Sequence, residues 1–225
     1  MPDLKLVNRL KDEYSYSYPY SDIIGLQAKS SVTDIVHKAD SENYVFSSRP
    51  AFLQEKGLTS AERGTALHKV MQHFDFSKAS DLDTELERLY EYTFISDSEY
   101  EAVDKEILKS FFASDLFDRI KKSDNVKREM RFLTEFPATE LDDTLDVKFS
   151  CENIVVQGAV DLLFVENDEV VIVDFKSDRS KDENELIDSY KQQLEIYAKA
   201  CSKLLKLPVK ELYIYSFALK KAIKL

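Results

Sequence analysis

The stretch VVIVDFKSDRS, Val170 to Ser180, decides how this chain is read. Its first four residues are β-branched and apolar, the composition of a strand inside a sheet. Side chains alternate across a strand, so Ile172, Asp174 and Lys176 share one face while Val171, Val173 and Phe175 share the other. A carboxylate and an amine are therefore neighbours at the end of an otherwise apolar strand. Taken alone, such a pair reads as a surface ion pair where a strand runs into water. The segments around it decide between that reading and a chemical one.

Just upstream, NIVVQGAVDLLFVEND has the same β-branched character, and END supplies a hairpin turn. Ala159, Asp161 and Leu163 share a face of that strand, and the short hairpin brings Asp161 beside Asp174. Two carboxylates at that separation repel unless one is protonated or a cation lies between them. Hard oxygen ligands of this kind suit Mg²⁺ or Mn²⁺. Such an ion polarises a phosphorus centre and lowers the pKa of an attacking water. Lys176, close by, orients or deprotonates that water, or neutralises the developing charge. This is the logic of phosphodiester hydrolysis.

Working outward, VKREMRFLTEF precedes the hairpin as a further strand, making a three-strand meander. A long helix follows in ENELIDSYKQQLEIYAKACSKLLK, with Leu186, Tyr190, Leu194, Tyr197, Cys201 and Leu204 or Leu205 as its stripe. Gln193 and Tyr197 stand i, i+4 on that helix, so an amide and a phenol point the same way beside the sheet. VKELYIYSFAL closes the chain as a strand. Upstream, LTSAERGTALHKVMQHFDF reads as a helix with a Thr59/Glu62 capping box and a stripe of Ala66, Leu67, Val70, Met71 and Phe74. His68 lies on or beside that stripe. Residues 82–124 are mostly acidic and helical, a cover without chemistry. The order of helix, meander, helix and strand predicts an α/β or α+β sheet with helices packed on it.

Residues 1–57 read as an irregular, partly extended N-terminal extension with a short helix in SSVTDIVHKA, leaving 58–225 as the main domain. Tyr14, Tyr16, Tyr18 and Tyr20 fall on one side of an extended segment, suited to packing on a core edge or interface more than to stacking bases. His37 and His73 receive no role.

Forty-four per cent hydrophobic residues in 225 support a real core, and no run approaches the roughly 18 apolar residues that span a bilayer. No secretory h-region precedes them, so a soluble cytoplasmic protein without membrane contact is expected. Cys151 and Cys201 are too few for a four-thiolate cluster and read as buried thiols. Phosphate-loop, dinucleotide and nucleophile-elbow motifs are missing. A formal charge of −11 counts against a nucleic-acid binder unless carboxylates hold a cation or other domains grip the polymer.

GTALH (Gly64 to His68), REMRF around Glu129, GAVD (Gly158 to Asp161), VDFK (Val173 to Lys176) and QLEIY (Gln193 to Tyr197) together resemble the RecB-type branch of the PD-(D/E)xK nucleases. With YPY near Tyr18, AKSSVTDI near Ala28 and ERGTALHKVMQHFD, nearly the whole chain resembles the nuclease domains of AddA (RexA)-type subunits of bacterial helicase-nucleases. The resemblance implies a restriction-endonuclease-like mixed sheet flanked by helices. It implies that Asp161 and Asp174 bind Mg²⁺, for which Mn²⁺ substitutes, with His68 as a third ligand, the Phe175 carbonyl as a fourth and Lys176 as the catalytic lysine. Glu129 then orients Lys176 or a water, and Gln193 and Tyr197 support the site and the DNA. Val160 occupies the proline position of the motif, as is usual in this branch, and the cysteines of its iron–sulfur members are missing, so no iron–sulfur cluster is expected. The implied partners are single-stranded DNA, motor domains of a longer parent chain and a second, AddB (RexB)-like subunit. The competing readings are a free-standing exonuclease of the same branch and a non-catalytic nuclease-fold scaffold.

Overall fold

Helices and strands follow the hydrophobic pattern closely in the computed structural model, which describes residues 4–15, 24, 27–36, 58–142, 144–178 and 182–225. In chain order they are α1 (Leu4–Ser15), β1 (Lys29–Ser31), α2 (Val32–Val36), α3 (Ser60–His73), α4 (Leu82–Glu91), α5 (Asp97–Ala102), α6 (Lys105–Phe112) and α7 (Asp115–Lys122). There follow β2 (Val126–Pro137), α8 (Ala138–Leu141), β3 (Asn153–Glu166), β4 (Glu169–Lys176), α9 (Glu183–Leu205), β5 (Val209–Ser216) and β6 (Lys221–Lys224). The chain divides into two compact units, residues 1–30 with 135–155 and residues 31–134 with 156–225. In the smaller unit the Ala138 N–H donates to the Glu152 carbonyl and the Val155 N–H to the Ala28 carbonyl.

Among the described residues the sheet has six strands in the order β1-β3-β4-β5-β6, with β2 also paired to β3. The expected hairpin joins β3 to β4. Asn167 and Asp168 both take left-handed backbone, φ 54° and 61°, as a two-residue turn of the strand-matching kind requires. Leu162 stands opposite Val173 in that antiparallel pair. β4 and β5 run parallel, with Phe175 opposite Tyr215, a pairing that needs a crossover, and α9 supplies it.

Both faces of this sheet are covered. Leu162, Phe164, Val171, Val173, Phe175 and Tyr215 meet Leu67, Val70 and Met71 of α3, Phe74 just after it, and the inner faces of α4, α6 and α7. On the other face Leu163, Ile172 and Ile214 are buried, α9 packs against β4 and β5, and α2 packs against α9. Two-sided burial explains why β4 reads as an unbroken apolar run instead of an alternation. It also fixes the register. Each buried Val or Ile contributes about 1.5–3 kcal/mol, and a one-residue slip would drive Asp174 into the helical core.

The N-terminal reading needs correction, because Tyr14 lies exposed in α1 and not in an extended segment; Tyr16, Tyr18, Tyr20 and His37 lie outside the described residues. The short helix in SSVTDIVHKA is present as α2. Cys201 is buried, as expected, but Cys151 is exposed. Leu204 is exposed too, since α9 ends one residue later with Lys206 in left-handed backbone. The chain does not close on β5. It turns at 217–220 and returns as β6, with Ile223 opposite Ile214.

Candidate active site

α3 begins where Thr59 and Glu62 close their capping box, with Glu62 N–H on Thr59 Oγ1 and Thr59 N–H on Glu62 Oε2. Its fifth residue, Gly64, faces the end of β4: a Cβ there would lie 2.4 Å from Ser177 Oγ. The helix can approach the strand this closely because position 64 carries no side chain. One turn later His68 is thereby brought to Asp161, Nδ1 to Oδ1 at 3.3 Å. The imidazole stands edge-on to Phe175, with ring centroids 6.4 Å apart. Gly158 has a matching reason to be glycine. A Cβ there would meet the Phe132 ring at 2.7 Å and Val32 at 3.0 Å.

Asp161 and Asp174 face each other across the β3–β4 hairpin, since the next pair inward is Leu162 with Val173. Asp161 Oδ2 accepts the Phe175 N–H at 2.8 Å. Asp174 is 2 % exposed, with Lys176 Nζ 2.7 Å from its Oδ2 in an ion-pair contact. Among the described residues that buried oxygen has no partner besides Lys176. Lys176 in turn lies over the face of Tyr190, Nζ 4.3 Å from the ring centroid, and the Tyr190 hydroxyl donates to Asp178. On the same helix Gln193 Nε2 donates to the Tyr197 hydroxyl at 2.8 Å, and Tyr197 lies edge-on to Phe132.

The two carboxyls are pushed apart electrostatically. Burial and the charge of Asp161 raise Asp174 to about 6, against the pull of Lys176. Burial opposes ionisation of Asp161 too, but the His68 hydrogen bond, the Phe175 N–H and Lys176 outweigh it and hold that carboxyl low. Burial disfavours imidazolium at His68, and the Asp161 contact outweighs it, so the net shift is upward. Burial and the charge of Asp174 raise the Tyr197 phenol, which stays neutral.

Glu129 sits where β2 changes phase. Val126 packs toward the helical core and Arg128 donates to the Met71 and Phe74 carbonyls at the end of α3, whereas Phe132 meets α9. An unbroken strand would keep all three on one face. Glu129, with φ 47°, shifts the alternation by one residue as a bulge does, at a cost of about 1 kcal/mol or more. Its charge is felt at both Tyr197 and His73, which sets it beside the site.

The sequence-derived residues therefore come together as two linked pairs, His68 with Asp161 and Lys176 with Asp174, flanked by Gln193–Tyr197 and by Glu129. Among the described residues no three His, Cys, Asp or Glu side chains already stand as a ligand set. The reason is visible: His68 and the Phe175 N–H take Asp161, and Lys176 takes Asp174. A divalent cation still fits the chemistry. A buried carboxylate whose Oδ2 is held by an exchangeable ammonium, beside a second carboxylate, offers hard oxygen donors of the Mg²⁺ or Mn²⁺ type. The Phe175 ring is buried in the core, as the alternation predicts. Tyr190 was missed as a neighbour of Lys176. It reads from sequence as part of the apolar stripe, yet its spacing of three and seven residues from Gln193 and Tyr197 puts it on their face.

Residues 43–223 match the profile of the PD-(D/E)XK nuclease superfamily. The AddA subunit of the ATP-dependent helicase/nuclease of Clostridium botulinum is 34% identical over 242 residues, covering 97% of this chain and 20% of that protein. The proteins of the same name from Clostridium beijerinckii and Bacillus mycoides are 34% and 35% identical over 229 residues each, covering 94% and 92% of this chain and 18% of theirs. The chain thus spans about a fifth of the length of these relatives. A crystal structure of SSO0001 aligns over 98% of this chain and 73% of its own, at a TM-score of 0.36 and 15% identity, a level that says nothing further about this molecule.

Proposed function

The chain belongs to the PD-(D/E)XK nuclease superfamily, and from that premise we propose that it is the Mg²⁺-dependent DNA exonuclease domain of a larger ATP-driven helicase-nuclease. The observation that carries this reading is the pair of facing carboxyls, one of them buried and held at its Oδ2 by the half-buried Lys176. A fold has no energetic reason to keep that arrangement for stability alone.

Asp161 and Asp174 would hold the cation, with His68 and the Phe175 carbonyl completing the set. When bound, the ion supplies Lewis-acid polarisation of the scissile phosphate and a more acidic attacking water. Lys176, released from Asp174, is left within reach of that water and of the charge that builds on phosphorus. The water oxygen would bond to phosphorus and give up a proton to solvent, the ester P–O bond would break, and the departing oxygen would take a proton from solvent. Tyr197, kept neutral and held by Gln193, presents a hydroxyl to the same face and supports the strand being cut. Glu129 orients Lys176 or a water from the bulge in β2.

The helicase part of the reading rests on the relatives' name and on the fraction of their length that this chain represents. Motor domains elsewhere in a parent chain would feed single-stranded DNA to the site, with residues 1–57 leading toward them and a second, AddB-like subunit beside them. Such a machine processes double-strand breaks for recombinational repair in the cytoplasm. Because motor and partner grip the polymer, a formal charge of −11 is tolerable. The test is Mg²⁺-dependent cleavage of end-labelled single-stranded DNA by the chain beside Asp174→Ala and Lys176→Ala. Loss of cutting in both supports the proposal, and full cutting by both overturns it.

A further inference from the structure

Tyr190 belongs to none of the motifs that carry the nuclease resemblance, yet its ring face lies against the candidate catalytic amine. Lys176 Nζ stands between two partners of different kind, the Asp174 carboxylate at 2.7 Å and the Tyr190 ring face at 4.3 Å. The ring is not free to turn away, because its hydroxyl donates to Asp178, two residues beyond Lys176 in sequence. Strand end and helix α9 are thus strapped together by Lys176, Tyr190 and Asp178. Asp178 is exposed and Lys176 is half-buried, so the strap closes over the lysine from the solvent side.

We propose that Tyr190 is a positioning residue for Lys176, holding the ammonium by its ring face when Asp174 is engaged elsewhere. The proposal rests on the nuclease reading, in which Asp174 gives its charge to a cation. At that moment Lys176 loses its anionic partner, and a flexible amine on a four-carbon stem would drift into water. A second carboxylate could retain it, but would also compete for the cation and add a third negative charge to a site that already pushes Asp174 upward. An aromatic face attracts an ammonium through its quadrupole without carrying net charge. The ring therefore keeps the lysine within reach and leaves the carboxylates to the metal. The hydroxyl has the secondary task of fixing the ring through Asp178.

Two variants separate ring from hydroxyl. Tyr190→Phe keeps the face and loses the strap; Tyr190→Leu keeps an apolar helix residue and loses both. In steady-state cleavage of single-stranded DNA by the chain, kcat is expected to fall about tenfold in Tyr190→Leu and about two- to threefold in Tyr190→Phe, with KM within about twofold of the parent in both. A second readout needs no cleavage. In an Asp174→Asn background, where Lys176 has lost its anionic partner, treated with acetic anhydride and read by mass spectrometry, Lys176 should be acetylated several-fold faster with Tyr190→Leu than with Tyr190 intact, and Tyr190→Phe should stay near the latter. Equal acetylation in all three, or a Tyr190→Phe that behaves like Tyr190→Leu, overturns the positioning role. Failure of the nuclease reading looks different: the parent and Lys176→Ala would then cleave alike while the acetylation difference stands.

Discussion

Strand β4 has charged clusters at both of its ends, and they are opposite in kind. At its start, Arg119 of α7 reaches over the sheet to Glu166 through two hydrogen bonds, to Glu211 at 2.6 Å and to the Tyr213 hydroxyl, and lies over the Phe164 ring. Lys210 and Lys224 complete the set. Every shift there favours the charged form. Hydrogen bonds from Lys224 and Arg119 hold Glu211 down at about 2 against the opposing effect of burial; Arg119 and Lys210 lower Glu166, and Arg119 is raised. At the other end, carboxylates and cations again meet, but give a carboxyl held low in Asp161 and a carboxyl forced up to about 6 in Asp174. Titratable neighbours driven apart in this way are the mark of acid–base or metal chemistry, whereas a mutually satisfied cluster is the mark of structure.

The contrast breaks if function and stability respond alike at the two ends. The largest effect is expected at Asp174→Asn, which keeps the shape and removes the charge. Cleavage should fall at least about 100-fold, while the melting temperature of the metal-free chain stays level or rises, because the burial that opposes this charge outweighs the pull of Lys176. Cleavage assays and thermal melts in chelator measure both. A lower melting temperature would mean that Asp174 serves the fold, and the distinction between the two ends would collapse.

Arg119→Ala should do the reverse. It leaves Glu166 without its main partner and Glu211 with Lys224 as its remaining cation, a loss of about 2 kcal/mol or roughly 4–8 °C in a domain of this size, with cleavage unchanged within about twofold. Lys210 and Lys224 remain to soften the loss, which is why the figure stays below that for a fully buried pair.

pH sharpens the same comparison, because the signs differ. Glu211 is lower in the folded chain than the ordinary carboxyl value near 4.3, so its contribution is present above about pH 4 and disappears as pH falls toward 2. Asp174 is higher when folded, so its relative contribution is present below about pH 4 and is lost as pH rises from about 4 to 6. In metal-free melts, Glu211→Gln should differ most from the parent at neutral pH and converge with it in acid. Asp174→Asn should converge with the parent near pH 4 and be the more stable above pH 6, by on the order of 2 kcal/mol. A gap at Asp174 that does not change with pH would remove the frustration argued for that end.

Much of the site is legible in the sequence because it depends on periodicity. Alternation alone pairs Asp174 with Lys176, the two-residue hairpin sets Asp161 opposite, and the capping box phases α3 so that His68 lies at its inner edge. What escapes is decided by contacts that no local pattern encodes. Nothing about a glutamate announces a left-handed backbone, so the change of phase at Glu129 appears only when Arg128 is seen on one side of the sheet and Phe132 on the other. β6 escapes because its turn has no glycine, proline or asparagine, with Lys220 at φ 53° taking the strained position. Tyr190 looks like any apolar helix residue until Lys176 is found over it.

The smallest effect tests how the two chains of contact meet. Gly64 lies inside α3, where alanine would ordinarily gain up to about 1 kcal/mol. Here the added Cβ would stand 2.4 Å from Ser177 Oγ, immediately after the strand that carries Asp174 and Lys176. Relief requires Ser177 or the helix to move, and a helix moved by a few tenths of an ångström carries His68 away from Asp161. Gly64→Ala should therefore melt near the parent while losing about three- to tenfold in cleavage, since small misplacements cost rate before they cost stability. The double variant Gly64→Ala/Ser177→Ala should recover most of it, because the next atom a Cβ would meet is Ser177 Cβ at 3.6 Å, an ordinary contact. If the second change restores nothing, then the loss lies in the helix itself and the approach of α3 to β4 does not set the position of His68.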